Sequence, residues 1–206
     1  MLSILVNHWN RSYTVDPDGS LRPLFRRAFG ALFRAVRATK THAELVVVDW
    51  PDQDSPRLGL GPWLRSTPIL PVTVVRGRGT FSRGAGRNQA AAHSDGDVLY
   101  FMDADMLTPP AVLRRGLRVV AQGQAFFPLY MRELRDGTYK AGNGTGNAIV
   151  TREHFLASGG FPAAPEWGGE DTAFARWFNA RGLCVREMVP GFIHQRHARE
   201  TTSHGL

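Results

Sequence analysis

The chain is poor in cysteine. Cys184 is the only one in 206 residues, so no disulfide can form within the chain. A cytoplasmic location is the simplest inference from that scarcity. Lysine is scarce too. Lys40 and Lys140 are the only two among 25 basic residues, so the net charge of +7 rests on arginine. Long apolar runs are missing, and nothing approaches the ~20 residues that a membrane-spanning helix requires. The opening MLSILVNHWNR carries an apolar run too short for a signal peptide, and no small-residue cleavage site follows. There is no internal repeat, no low-complexity tract, no RNA-binding signature and no zinc-ligand spacing. A nucleic-acid-binding module therefore has the charge in its favour and nothing else.

What is present describes a globular domain. The length fits one sizeable domain or a core domain plus a small lobe, and an apolar fraction of 43% is enough for a core. A sequence pI of about 10.4 favours an anionic partner: nucleic acid, an acidic membrane surface or a phosphorylated ligand. Strand-like runs (2–6, 43–50, 71–76, 98–102) alternate with helix-like ones (21–39, 82–94, 109–123). That alternation predicts a mostly parallel α/β sheet covered by helices. Runs such as LVVV and VLYF are apolar on both faces, as such a sheet requires. Further strands are expected at 125–131 and 147–152, a helix at 170–182, and a proline-punctuated loop at 51–71. The 21–39 helix places five arginines beside its apolar stripe. Either they form a solvated face, or they contact anionic lipid.

Ligands of open α/β sheets bind beyond the carboxyl ends of the strands, and Asn10, Asp49 and Asp103 fall at such ends. In the stretch DVLYFMDADMLTPP, Asp103 and Asp105 are two residues apart, so an extended chain points both the same way. Two converging carboxylates repel unless a cation joins them, and Mn²⁺ or Mg²⁺ suits oxygen ligands near substrate phosphates. Aspartate also favours strand-end turns and caps, so this pattern alone is unspecific. Just upstream, SRGAGRNQAAAHS opens a helix with Arg83 and Arg87 beside backbone N–H groups that can receive a diphosphate. Further on, PEWGGEDTAFARWF joins Trp167, Gly168 and Gly169 to two acids at a helix start. The acids can simply cap the helix. A tryptophan face beside carboxylates also suits a sugar, whose apolar face stacks and whose hydroxyls donate hydrogen bonds.

Taken in order, ILVNHWNR, LVVVDWPDQD, SRGAGRNQAAAHSDGDVLYFMDAD and GNAIVTREHFLASGGFPAAPEWGGEDTAFARWF resemble the successive motifs of the GT-A glycosyltransferases. The last is similar to the C-terminal segment of galactosyltransferases and related polymerising enzymes. The resemblance covers roughly residues 2 to 197. It implies a GT-A, Rossmann-like sheet with a small acceptor-side subdomain, in a single domain over 1–206. Residues 1–105 would bind the nucleotide sugar, and 106–206 would hold the acceptor and catalytic residues. It also implies a nucleotide-sugar donor, with UDP the expected nucleotide. Asn10 and Arg11 match the donor-site turn, Asp49 the nucleoside contact, and Arg83, Arg87 and Asn88 the surroundings of the base or diphosphate. Asp103 and Asp105 match the ribose and metal contacts, with Asp105 the more direct ligand. Asp171 matches the proposed general base, and Glu170, after Trp167-Gly168-Gly169, the acceptor contact. Retaining relatives tend to carry Asn at the position of Asp171, so aspartate favours inversion. A histidine after the next strand completes the family's metal site; His194 fits that spacing better than His197. The acceptor would be a glycan, a lipid-linked hydroxyl or a small hydroxyl compound, with peripheral contact to an anionic membrane as one setting. A retaining enzyme of the same fold and a metal-dependent nucleotidyltransferase are the alternatives. The second expects a Gly-rich basic loop after the first strand, which VNHWNRSYT lacks.

Overall fold

The computed structural model describes residues 1–9, 12, 14–16, 18–50, 64, 70–163 and 169–197. The expected loop at 51–71 falls almost entirely outside them. So do Asn10, Arg11, Trp167 and Gly168 among the candidate site residues.

In chain order the elements are β1 (Leu2–His8), β2 (Thr14–Val15), β3 (Leu21–Arg22), α1 (Leu24–Thr39), β4 (Ala43–Asp49) and β5 (Val72–Arg76). Then follow α2 (Arg83–Ala92), β6 (Val98–Asp103), β7 (Met106–Leu107), α3 (Pro110–Ala121), β8 (Ala125–Glu133) and β9 (Tyr139–Gly142). The last are β10 (Ala148–Thr151), α4 (Arg152–Ala157), α5 (Glu170–Asn179) and β11 (Cys184–His194).

One sheet runs through the described chain in the order β5-β4-β1-β6-β10-β8-β11-β7, with β9 on β8. The pairs β5–β4, β4–β1 and β1–β6 are parallel, the α/β arrangement expected from the alternating pattern. Past β6 the sheet is mixed: β10 runs antiparallel to both β6 and β8, while β11 is parallel to β8. The parallel half needs crossovers, and α1 and α2 supply two of them.

Strand alternation builds a core on each face. Ile4, Val6, Tyr100 and Met102 face α1 and α3, whereas Leu5, Leu99 and Phe101 face α2, α4 and α5. Helix α1 buries Leu24, Phe25, Ala28, Phe29, Leu32, Phe33, Ala35 and Val36, the three- and four-residue stripe legible in the sequence. It starts three residues later than expected. Pro23 disfavours helical geometry in the residue before it, and Leu21–Arg22 instead pair with Thr14–Val15 in a hairpin. The short helix α4 was not anticipated. Thr151 caps it by accepting from the His154 N–H at 3.0 Å.

On the second face Phe174 of α5 sits among Phe101, Phe127, Phe155, Phe161 and Phe178, stacking on Phe161 at a ring separation of 4.1 Å. This cluster fixes α5, and with it the two acids at its start, against the sheet. Phe174→Ala should lower stability by about 3–5 kcal/mol. Urea unfolding that changed by less than about 1 kcal/mol would mean that α5 is held by other contacts.

Candidate active site

A cavity of about 400 Å³ lies beyond the carboxyl ends of β1 and β6. Asn7, Trp9, Phe81, Arg83, Arg87 and Asp103 line one side, and Asp105, Tyr130, Asp171, His194 and His197 also line it. The parallel half of the sheet brings Asn7, His8, Asp49 and Asp103 to one end: Asn7 pairs with Asp103 in register, and His8 with Asp49.

Arg87 is the centre of the charged floor. It is only 3% exposed, and its guanidinium donates to Asp103 Oδ1 at 2.9 Å and to the Gly146 carbonyl at 3.0 Å. The same group lies 3.4 Å from Glu170 Oε1 and stands over the Phe161 ring. Arg83 reaches the same two acids, each at 3.4 Å, but keeps 28% of its side chain exposed. Asn147 reads Asp103 twice: its amide donates to Oδ2 at 3.1 Å, and its oxygen accepts from the Asp103 N–H at 3.0 Å. Gly146 permits this closeness, because a Cβ there would sit 2.8 Å from Asp103 Oδ2. Burial works against the Asp103 charge, but Arg87 and Arg83 outweigh it, and its carboxyl titrates below the usual range.

The two aspartates of the D-x-D therefore part company. Asp103 belongs to the arginines, while Asp105 faces imidazoles: His197 Nε2 lies 3.1 Å from its Oδ2, and His194 Nε2 lies 3.7 Å from it. Asp105, His194 and His197 offer ligand atoms within 4.8 Å of one another. Both histidines join that group, although spacing alone favoured His194, and Asp103 is not in it. Burial lowers the His194 pKa and outweighs the pull of Asp105, so the ring is neutral near pH 7. One carboxylate and two imidazoles suit a divalent ion such as Mn²⁺. Tyr130 stacks on His194 and sets its ring plane.

Other candidates take different places. Glu170, expected at the acceptor, does not line the cavity; it is 5% exposed and turned into Arg83 and Arg87. A carboxylate out of water needs such partners. Its neighbour Asp171 does line the cavity, with Oδ1 accepting from the Thr172 N–H at 2.8 Å. Gly169 opens the helix at φ +95°, a conformation that L side chains rarely adopt. Asn88, expected near the donor, instead clasps the Phe161 backbone through both amide atoms at 2.8 and 2.9 Å. Asp49 Oδ1 accepts from His8 Nδ1 at 2.9 Å and does not line the cavity.

Several lining residues escaped the sequence reading. Trp9 and Phe81 stack at 4.4 Å on the rim. Glu133 and Arg196 join the wall to the β2–β3 hairpin: Arg22 bonds Glu133 at 2.8 Å and Asp16 at 2.8 Å, and Arg196 bonds Asp16. The Arg196 N–H also donates to Glu133. Separations such as 44 residues, for Asn147 and Asp103, leave no local spacing to read. Only proximity to a strand end could have flagged Trp9.

Residues 22–163 match the family described as Glycosyl transferase family 2, and the chain belongs to that family. The match includes Arg83, Arg87, Asp103 and Asp105 but ends before Asp171 and the histidines. The likeness of the C-terminal segment to galactosyltransferases thus rests on its sequence alone. No curated protein matches the chain. The curled mixed sheet is a GT-A, Rossmann-like fold, and solved structures share it. One is the mannosyltransferase PcManGT from Pyrobaculum calidifontis in complex with GDP-Man and Mn²⁺: 18% identity, 98% of this chain and 58% of that one, TM-score 0.69. Another is S. aureus TarS 1-349 in complex with UDP-GlcNAc: 14% identity, 100% of this chain and 61% of that one, TM-score 0.72. TarS 1-349 in complex with UDP gives 13% identity, 95% of this chain, 60% of that one and a TM-score of 0.70. The chain spans about three fifths of the length of those structures.

The Glu133 junction yields a pH prediction. Burial raises the Glu133 pKa, but the bonds from Arg22 and the Arg196 N–H outweigh it, so the folded value is depressed. A depressed carboxylate contributes stability above its unfolded pKa of about 4.3 and loses it as pH falls through the folded value. Glu133→Gln should therefore cost about 1–3 kcal/mol at pH 7 and make the acid fall in stability shallower. Urea midpoints across that pH range test this; parallel curves for the two proteins would refute it.

Proposed function

We propose that this chain is a metal-dependent, inverting glycosyltransferase that moves a sugar from a nucleoside diphosphate, UDP first among candidates, to a hydroxyl acceptor. One observation carries the reading. Asp171 and the group Asp105, His194 and His197 line the same cavity as the arginine-bound Asp103, within a member of Glycosyl transferase family 2. The ligands of the fold relatives agree with it: GDP-Man with Mn²⁺ in one complex and UDP-GlcNAc in the other. In this reading residues 1–105 serve mainly the donor and 106–206 mainly the acceptor and the chemistry.

The reaction is a displacement at the anomeric carbon. The acceptor oxygen forms the new bond while Asp171 takes its proton, and the bond to the diphosphate breaks with its electron pair leaving on the diphosphate oxygen. Arg83, part-exposed in the cavity wall, is the side chain suited to the departing negative charge. Asp105, His194 and His197 are the residues that would hold Mn²⁺, which when bound supplies Lewis-acid stabilisation of the diphosphate. Asp103, fixed by Arg87 and Asn147, is suited to accept hydrogen bonds from ribose hydroxyls. Trp9 and Phe81 offer aromatic surface on the same wall. Asn10, Arg11 and Asp49 remain proposed donor contacts, and Trp167 with Gly168 and Gly169 proposed acceptor contacts. Glu170 is assigned to positioning: it orients Arg83 and Arg87.

A panel of nucleotide sugars with Mn²⁺ and hydroxyl acceptors tests the reading. Asp171→Asn should reduce turnover by ~10²–10⁴ with donor affinity nearly unchanged. The anomeric coupling of the product should report inversion; retained configuration, or near-normal turnover of the variant, would refute the role of Asp171. Asp105→Ala should remove Mn²⁺ binding measured by calorimetry without nucleotide. Unchanged Mn²⁺ affinity would refute the metal assignment, whatever the activity.

A further inference from the structure

Helices α1 and α3 pack side by side on one face of the sheet. Between them they carry seven arginines, Arg26, Arg27, Arg34 and Arg37 on α1 and Arg114, Arg115 and Arg118 on α3, and no acidic residue. All but Arg115 are exposed, and Arg115 pairs with Glu187 at 2.8 Å. A helix that only needs a solvated face carries both signs, because alternating charges support it along its length. A field of one sign facing water calls for an opposite charge. A cleft of about 420 Å³ lies within this face, where Arg26, Arg27 and Arg34 meet Thr108, Pro109 and Gly191.

Directly before α1 stands the β2–β3 hairpin, in which Val15 and Leu21 face each other across the strands. They are 62% and 67% exposed, among the most exposed large apolar side chains of the described residues. Opposed residues of an antiparallel pair project on the same side, so the two form one apolar knob. The polar side chains of the same hairpin, Asp16 and Arg22, are bound to Arg196 and Glu133 in the cavity wall. The knob is therefore anchored beside the cavity and next to the arginine face.

We propose that this surface docks on an anionic lipid bilayer, with the arginines at the phosphates and Val15 and Leu21 entering the interface. The apolar knob decides between polyanions. Nucleic acid would use the arginines but has no use for exposed aliphatic side chains, whereas an amphipathic interface uses both.

The test is co-sedimentation of the full chain with vesicles of phosphatidylglycerol and phosphatidylcholine in equal parts, or of phosphatidylcholine alone. Binding is expected to the mixed vesicles at about 0.05 M salt, to weaken strongly at about 0.5 M, and to be negligible on the neutral ones. Each basic side chain near such a surface contributes about fivefold, so Arg26→Gln/Arg34→Gln/Arg118→Gln should weaken partitioning on the order of a hundredfold. Val15→Ser/Leu21→Ser should weaken it about tenfold while leaving the salt dependence in place. Circular dichroism confirms folding of these surface variants. No binding to the mixed vesicles at low salt, or equal binding to neutral ones, would overturn the proposal. So would a serine variant that binds like the parent chain while duplex DNA displaces the vesicles, since that marks a general polyanion surface.

Discussion

The site hangs on one buried cation. Arg87 carries a guanidinium, yet only 3% of the residue meets solvent. A guanidinium placed there without partners would cost several kcal/mol, so its surroundings must supply acceptor oxygens. They do so from three directions: Asp103 at the end of β6, Glu170 at the start of α5 and the Gly146 carbonyl before β10. Removing either acid leaves charge unbalanced in a dry region. The parts of the site that are far apart in the chain are therefore tied to the same atom group.

That constraint explains how the acids divide their work. Asp103 and Glu170 are committed to the arginines, Asp105 to the imidazoles of His194 and His197. Asp171, one residue beyond Glu170, points about 100° away around the helix and reaches the cavity. Two close pairs of acids, Asp103/Asp105 and Glu170/Asp171, thus each contain one member held by arginine and one member open to other chemistry. Long-range partners produce the split in both cases.

The second organising feature is the junction of Asp16, Arg22, Glu133 and Arg196. It joins the β2–β3 hairpin to the strand ends that carry the histidines. The segment from His194 to His197 has β11 behind it and this cluster beside it, with Gln195 donating to the carbonyls of Leu24 and Asp105. A histidine pair at the end of a strand would otherwise be poorly fixed. Here its backbone is held to α1, to the D-x-D turn and to β8.

Much of the fold was legible in the sequence, because period and punctuation are local. The apolar stripe of α1, the Ser82 start of α2, the proline opening α3 and the apolar strands before Asp49 and Asp103 all depend on neighbouring residues. The same locality brought Asp103, Asp105, Arg83, Arg87 and Asp171 forward as candidates. What only the tertiary structure decided is which of them meet. Glu170 reads as an acceptor contact until Arg83 and Arg87, more than 80 residues earlier, are brought against it and take its carboxylate out of the cavity. Asn88 reads as a donor contact until Phe161 folds over it. The D-x-D spacing points two carboxylates one way, but long-range pairing gives guanidinium to the first and imidazole to the second. Charge pairing depends on distance through space, and a sequence fixes that distance only between near neighbours.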